Sequence, residues 1–196
     1  MQELDARRIA VPPFDVAALE RGHAVHFRCL AAGVEDLRVD VMIQLRDLPP
    51  FAVLWERRTS FTDDTSMVFD LLSIPDLVQA KKTQRSKDWP VIELLVNIHH
   101  RENANAPRPD WIKFWLWECR STELLVELAR AFPAEADTLT TPRPLLATAK
   151  AGDLDALAAA LDAETRAEMA KDRIYWAPLK RELEAMRRAE SRTERP

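Results

Sequence analysis

The amino-acid sequence predicts an α+β protein: a small mixed sheet of three or four strands with flanking helices, then an all-helical C-terminal region. Three observations predict this. Residues 25–45 alternate apolar and polar side chains with period 2, the strand signature. Ser73 and Asp88 each stand before an apolar-periodic run with a proline near its start, as helix caps do. Beyond residue 107 the apolar spacing is helical. A chain of 196 residues that is 47% hydrophobic can bury a core of its own.

The elements follow in order. Residues 24–45 read as a β-hairpin. Val25, Phe27 and Cys29 alternate with His26 and Arg28, and Leu37, Val39, Val41, Ile43 and Leu45 alternate with Arg38, Asp40, Met42 and Gln44. Keeping the apolar faces together restricts the register by parity, and two registers satisfy it. One sets Arg28 opposite Asp40, the other His26 opposite Asp40. The first is preferred, because the second sets Arg28 against Arg38. Leu48-Pro49-Pro50 ends the strand, and 51–58 reads as a short helix with Leu54 and Trp55 inward. Residues 67–71 form another apolar strand.

Ser73 caps a helix that fades near Thr83, with Asp76 three residues on as a weak capping box and Pro75 in the first turn. Asp88 caps a second helix that runs to about His100. The polar segment 101–109, with two prolines, reads as a linker between an α+β part, 1–100, and a helical part, 107–190. In the latter, 110–119 and 122–132 form a Trp/Leu-rich helix pair, and 133–144 reads as a loop. Residues 145–150 and 153–161 flank Gly152, which suits a helix C′ position followed by an Asp cap. A last helix, about 164–190, carries Ile174, Trp176, Leu179, Leu183 and Met186, and its charged end is expected to fray.

Composition excludes several function classes. Only Gly22, Gly33 and Gly152 occur, so no Gly-rich phosphate cradle can be built. A net charge of −4 argues against nucleic-acid binding by bulk charge, while a local basic patch stays compatible with it. Two distant cysteines, Cys29 and Cys119, make no disulfide framework and suit a reducing cytoplasm. No leader is visible, and no apolar run approaches the roughly 20 residues that span a bilayer. No membrane partner is expected.

Several residues are candidates for a site. Lys81, Lys82, Arg85 and Lys87 form the compact basic cluster, suited to phosphates of a nucleotide or a nucleic acid. The plain alternative is a solvated helix end, where cations favour the dipole and Lys87 orients the Asp88 cap. Asp40 lies on the polar face of its strand, and the plain reading pairs it with Arg28 or Arg38. Adjacent helical residues such as His99 and His100 point about 100° apart and chelate one metal poorly, so surface or helix-end histidines are expected. Trp111, Phe114, Trp115 and Trp117 could stack bases, but core packing is the commoner use of such a tract.

The order strand, turn, strand with Asp, helix, strand, helix–basic turn–helix resembles the second half of a small bacterial nucleotidyltransferase fold of the toxin and abortive-infection kind. The matching pieces are Arg38-Val39-Asp40-Val41-Met42, Leu54-Trp55-Glu56-Arg57-Arg58 and the segment 73–95, within residues 24–98. Val91 departs from a position that is often acidic in the family. The stretches 117–125 and 175–184 are similar to helical extensions of such proteins.

The resemblance implies transfer of a nucleoside monophosphate from a nucleotide triphosphate to a hydroxyl of a nucleic-acid or protein acceptor. Three carboxylates on one sheet face would hold magnesium, with Asp40 as the third, supported by Arg28, Arg38 and Asp88. The family's Gly-Ser turn and Asp-x-Asp strand are missing from the residues before Asp40. Three explanations follow: a truncated reading frame, a partner chain that supplies the missing half, or a non-catalytic remnant. The alternative function is therefore a non-enzymatic binding or regulatory protein, such as a toxin–antitoxin or phage-defence component that keeps the scaffold. A half-built sheet leaves an edge that a second copy or a partner chain would cover.

Overall fold

The structure is a computed structural model that describes residues 2–193. It is an α+β protein, as the sequence predicts, but its strands form two small antiparallel sheets rather than one mixed sheet. Its contacts divide the chain into two compact units: residues up to Trp55 together with those from Ile174 onward, and Glu56–Arg173.

The first unit holds a three-stranded antiparallel sheet in the order β1 (Arg7–Arg8), β2 (Val25–Arg28), β3 (Arg38–Val41). Helix α1 (Val16–Glu20) precedes β2 and is capped by Asp15, whose carboxylate accepts from the Ala18 N–H at 2.7 Å. Val25, Phe27 and Leu19 form a small buried cluster against which Val39 and Val41 pack. The alternation read from the sequence is therefore the pleat of β2 and β3, although β3 stops at Val41 rather than Leu45.

The register differs from the preferred one. His26 pairs with Asp40, and Arg28 stands opposite Arg38. The turn dictates this: Cys29 N–H donates to Leu37 O at 2.8 Å, and Asp36 N–H donates to Cys29 O at 3.0 Å. Like-charge repulsion is relieved because each arginine has its own carboxylate. Arg28 reaches Asp36 at 3.4 Å, and Arg38 reaches Asp40 at 2.8 Å.

Helix α2 (Phe51–Glu56) buries Leu54 as expected, but Trp55 is substantially exposed and stacks instead beside Phe51. In the second unit, β5 (Val68–Leu71) pairs with β4 (Thr59–Thr62), a strand that the sequence reading leaves out. Every residue of both strands of this hairpin is exposed. Phe61 and Phe69 stack on its apolar face, their ring centroids 5.0 Å apart. Asp63 folds the connection by accepting from the Thr65 and Met67 N–H groups.

The helical core of this unit is built from α3 (Ile74–Lys81), α4 (Trp89–Asn103), α5 (Pro109–Glu118), α6 (Thr122–Ala131), α7 (Pro133–Thr140), α8 (Leu145–Ala151) and the start of α9 (Leu154–Thr193). The connection between α4 and α5 lies inside this unit. Two expectations are corrected. Residues 133–140 are helical rather than a loop, because Pro133 opens the first turn of α7 and Ala136 and Leu139 face the core. Residues 154–193 form one helix of 40 residues, not two, since nothing near Asp162 breaks it and the chain accommodates Pro178 inside it. The expected fraying thus does not begin at Arg187, and the final three positions lie outside the described residues. Gly152 takes the left-handed conformation at the end of α8 (φ 76°), as its spacing predicts, and Asp153 Oδ1 accepts from the Ala156 N–H.

Candidate functional site

Asp40 and the basic segment belong to different units, so each is described by itself. Asp40 projects from the polar face of β3. Its Oδ1 accepts from Arg38 Nε at 2.8 Å and lies 2.7 Å from His26 Nδ1. Arg38 Nη2 is itself 2.9 Å from that same ring nitrogen. One nitrogen cannot both give and receive there. The shorter contact to an anion favours a proton on Nδ1 donated to Asp40. Partial burial works to raise the Asp40 carboxyl, but the hydrogen bonds and charges of Arg38 and His26 outweigh it and hold it below the usual value. Arg28, expected to support Asp40, turns to Asp36 instead. Arg7 pairs with Arg28 in the ladder and extends the row of arginines on this face.

The basic cluster is largely consumed by carboxylates of its own unit. Lys82 is buried, and its Nζ donates to the buried Glu118 at 2.6 Å. Asp88 is also buried. Contrary to expectation, its side chain does not cap α4 but clamps the turn before it. Its carboxylate accepts from Thr83 Oγ1 at 2.6 Å and Arg85 Nε at 2.9 Å, with Lys81 Nζ at 3.4 Å. Burial pushes this carboxyl up, yet Thr83, Arg85 and Lys81 together keep it below its ordinary value. Lys87 is exposed and makes no hydrogen bond or ion pair among the described residues, so it does not orient Asp88. Of the cluster, Lys81 and Arg85 come together on Asp88, while Lys82 is drawn into the core.

The sequence reading misses two further features of this unit. Arg57 grips Asp76 with both ends of its guanidinium, Nε at 2.7 Å from Oδ2, and Asp76 also accepts from the Ser73 hydroxyl at 2.6 Å. Ser73 caps α3 as predicted, although the Asp76 carboxylate bonds to its hydroxyl. Deeper in, Arg143 is almost fully buried. It donates to Leu116 O at 2.7 Å, to Cys119 O at 3.0 Å and to both oxygens of Glu164. These bonds satisfy carbonyls at the end of α5 that have no helical partner. Arg120 also pairs with Glu164. Burial works to raise the Glu164 carboxyl, but the two arginines hold it below its usual value.

A folded carboxyl held below its unfolded value stabilises the fold fully above the unfolded value, and that stability is lost as pH falls through the folded one. For Glu164 the loss therefore sets in as pH drops past 4.5, the ordinary value, and deepens below it. Acid unfolding followed by circular dichroism should show this slope, and Glu164→Gln should flatten it. An unchanged slope in that variant would count against the pairing.

A cleft of about 240 Å³ opens beside this network. Its walls are Trp89 and Glu93 of α4, Arg120 of the turn after α5, and Leu161, Asp162 and Thr165 of α9.

The histidine expectation fails for His99. It is buried, accepts from Trp115 Nε1 at 2.9 Å, and is ringed edge-on by Trp111 and Phe114. Burial pushes its pKa down, which keeps it neutral and able to accept. The tryptophan tract is core, as expected, with Trp115 fully buried and Trp117 at the surface. Cys119 is likewise inert: burial raises its thiol to about 11. No group of three or more His, Cys, Asp or Glu comes together for a metal among the described residues. No helix of the described chain is long and apolar enough to cross a membrane. Comparisons with protein-family models, with curated proteins and with solved structures found no significant match.

Proposed function

We propose that this chain is a non-enzymatic binding or regulatory protein on a nucleotidyltransferase-like scaffold. The observation that carries the reading is the state of Asp40. Its carboxylate already has its counter-charge, Arg38 at 2.8 Å, and a second donor in His26 at 2.7 Å. A magnesium ion held there would have to displace a guanidinium while gaining only one protein carboxylate, and Mg²⁺ sheds its waters reluctantly. The residues present do not fit that ion, and no catalytic step is derived through it.

The exposed hairpin β4–β5 supports a binding role. Its edge strand β4 carries no charged side chain, so a second copy of the chain can align antiparallel along it without like charges meeting. The enzymatic reading retains one observation: Asp40 is ionised and faces outward from β3, as a ligand position requires.

The test is a transfer assay with magnesium, each labelled nucleotide triphosphate, and RNA or protein acceptors. The expected outcome is no labelled product, with the wild type indistinguishable from Asp40→Asn. A labelled product that disappears in Asp40→Asn would overturn the reading.

A further inference from the structure

We propose that the cleft between α4, the α5–α6 turn and α9 binds a small zwitterion of the α-amino-acid class. The inference stands apart from the reading of Asp40, since it concerns a different unit and different residues. Three polar side chains line the cleft around its apolar residues. Arg120 has a side chain only 8% exposed, and its Nε finds no acceptor. Glu93 of α4, half-buried, makes no ion pair or hydrogen bond among the described residues. The Thr165 hydroxyl is likewise unpartnered among them. Trp89 and Leu161 supply apolar lining.

An orphaned buried donor is costly, and a half-buried carboxylate without a partner gains from a nearby cation. The complementary ligand carries one acceptor group and one cation. A carboxylate meets the Arg120 guanidinium, and an ammonium meets Glu93, with Thr165 able to bond either. Asp162 adds negative charge at the rim, and its pairing with Arg166 is exposed and weakly held. Size points the same way. About 240 Å³ falls just short of the roughly 300–1,000 Å³ of ordinary ligand clefts, which suits a metabolite rather than a nucleotide or a peptide. The indole and Leu161 leave room for an apolar side chain on that ligand.

The test uses the full chain and the common L-amino acids, added singly, with thermal stabilisation and tryptophan fluorescence as readouts. Matched probes are primary amines that lack the carboxylate and N-acetyl amino acids that lack the ammonium. At least one amino acid should bind saturably, and both truncated forms of it should bind about tenfold or more weakly, as loss of a charged hydrogen bond implies. Glu93→Gln should weaken binding about tenfold or more while the circular dichroism spectrum is unchanged. Thr165→Trp, which fills the cleft from its α9 wall, should abolish it. The proposal is overturned if no amino acid binds, if the amine binds as well as the intact zwitterion, or if Glu93→Gln retains full affinity.

Discussion

Arg143→Met should lower the unfolding free energy of the chain by about 3–5 kcal/mol, because two buried carbonyls lose their donors at about 1–3 kcal/mol each and the half-buried Glu164 keeps only Arg120 as its cation. The size of the effect comes from what the guanidinium leaves behind. Leu116 O and Cys119 O lose donors at 2.7 and 3.0 Å, and Glu164 loses two of its charged bonds. Both carbonyls sit where α5 ends, so helix geometry offers them no other donor. Met keeps most of the stem's packing, so the loss isolates the polar head. Urea unfolding measures the change. As a control, Arg166→Met breaks only the exposed pair with Asp162 and should cost less than about 1 kcal/mol. Equal effects of the two variants would mean that the Arg143 network is no more than surface electrostatics.

Trp115→Ala should be comparably damaging, at about 3–5 kcal/mol, through the cavity left by a fully buried indole. A second variant separates packing from hydrogen bonding. Trp115→Phe refills most of the volume but removes the donor that reaches His99 Nδ1 at 2.9 Å. An unsatisfied buried nitrogen costs about 1–3 kcal/mol, so the Phe variant should fall between wild type and Ala. It should also raise the His99 pKa: a ring that loses its donor gains a reason to take up a proton, which NMR titration of the imidazole reads directly. If Phe is as stable as wild type and the titration is unmoved, the indole–imidazole bond contributes nothing.

Local chemistry was the legible part of this fold. Ser73, Asp153 and Gly152 sit at helix ends because of what their side chains, or the lack of one, permit, and each occupies the expected position. The β2–β3 alternation was legible for the same reason. The elements that escaped lacked a periodic signal. β1 is two residues long, and the exposed β4 has no buried face to reveal it. Residues 133–144 looked like a loop because prolines bracket them, although a proline can equally open a helix.

The register failed for a different reason. The cross-strand rule weighed Arg28 against Arg38 but not the carboxylates that reach each of them, Asp36 and Asp40. The basic cluster shows the same limit. Charges close in sequence suggested one phosphate site, whereas tertiary packing supplied Glu118 from 36 residues away. No one-dimensional signal marks such a pairing, nor the burial of Arg143 and His99.

The central claim is that Asp40 is already neutralised by its neighbours. Titrating magnesium into the chain while following the Asp40 carboxyl carbon and the His26 ring by NMR tests it most directly. Both signals should stay unmoved across millimolar magnesium, and acid should shift the Asp40 carboxyl only below its ordinary range. A saturable magnesium shift at Asp40 that vanishes in Asp40→Asn would contradict the account.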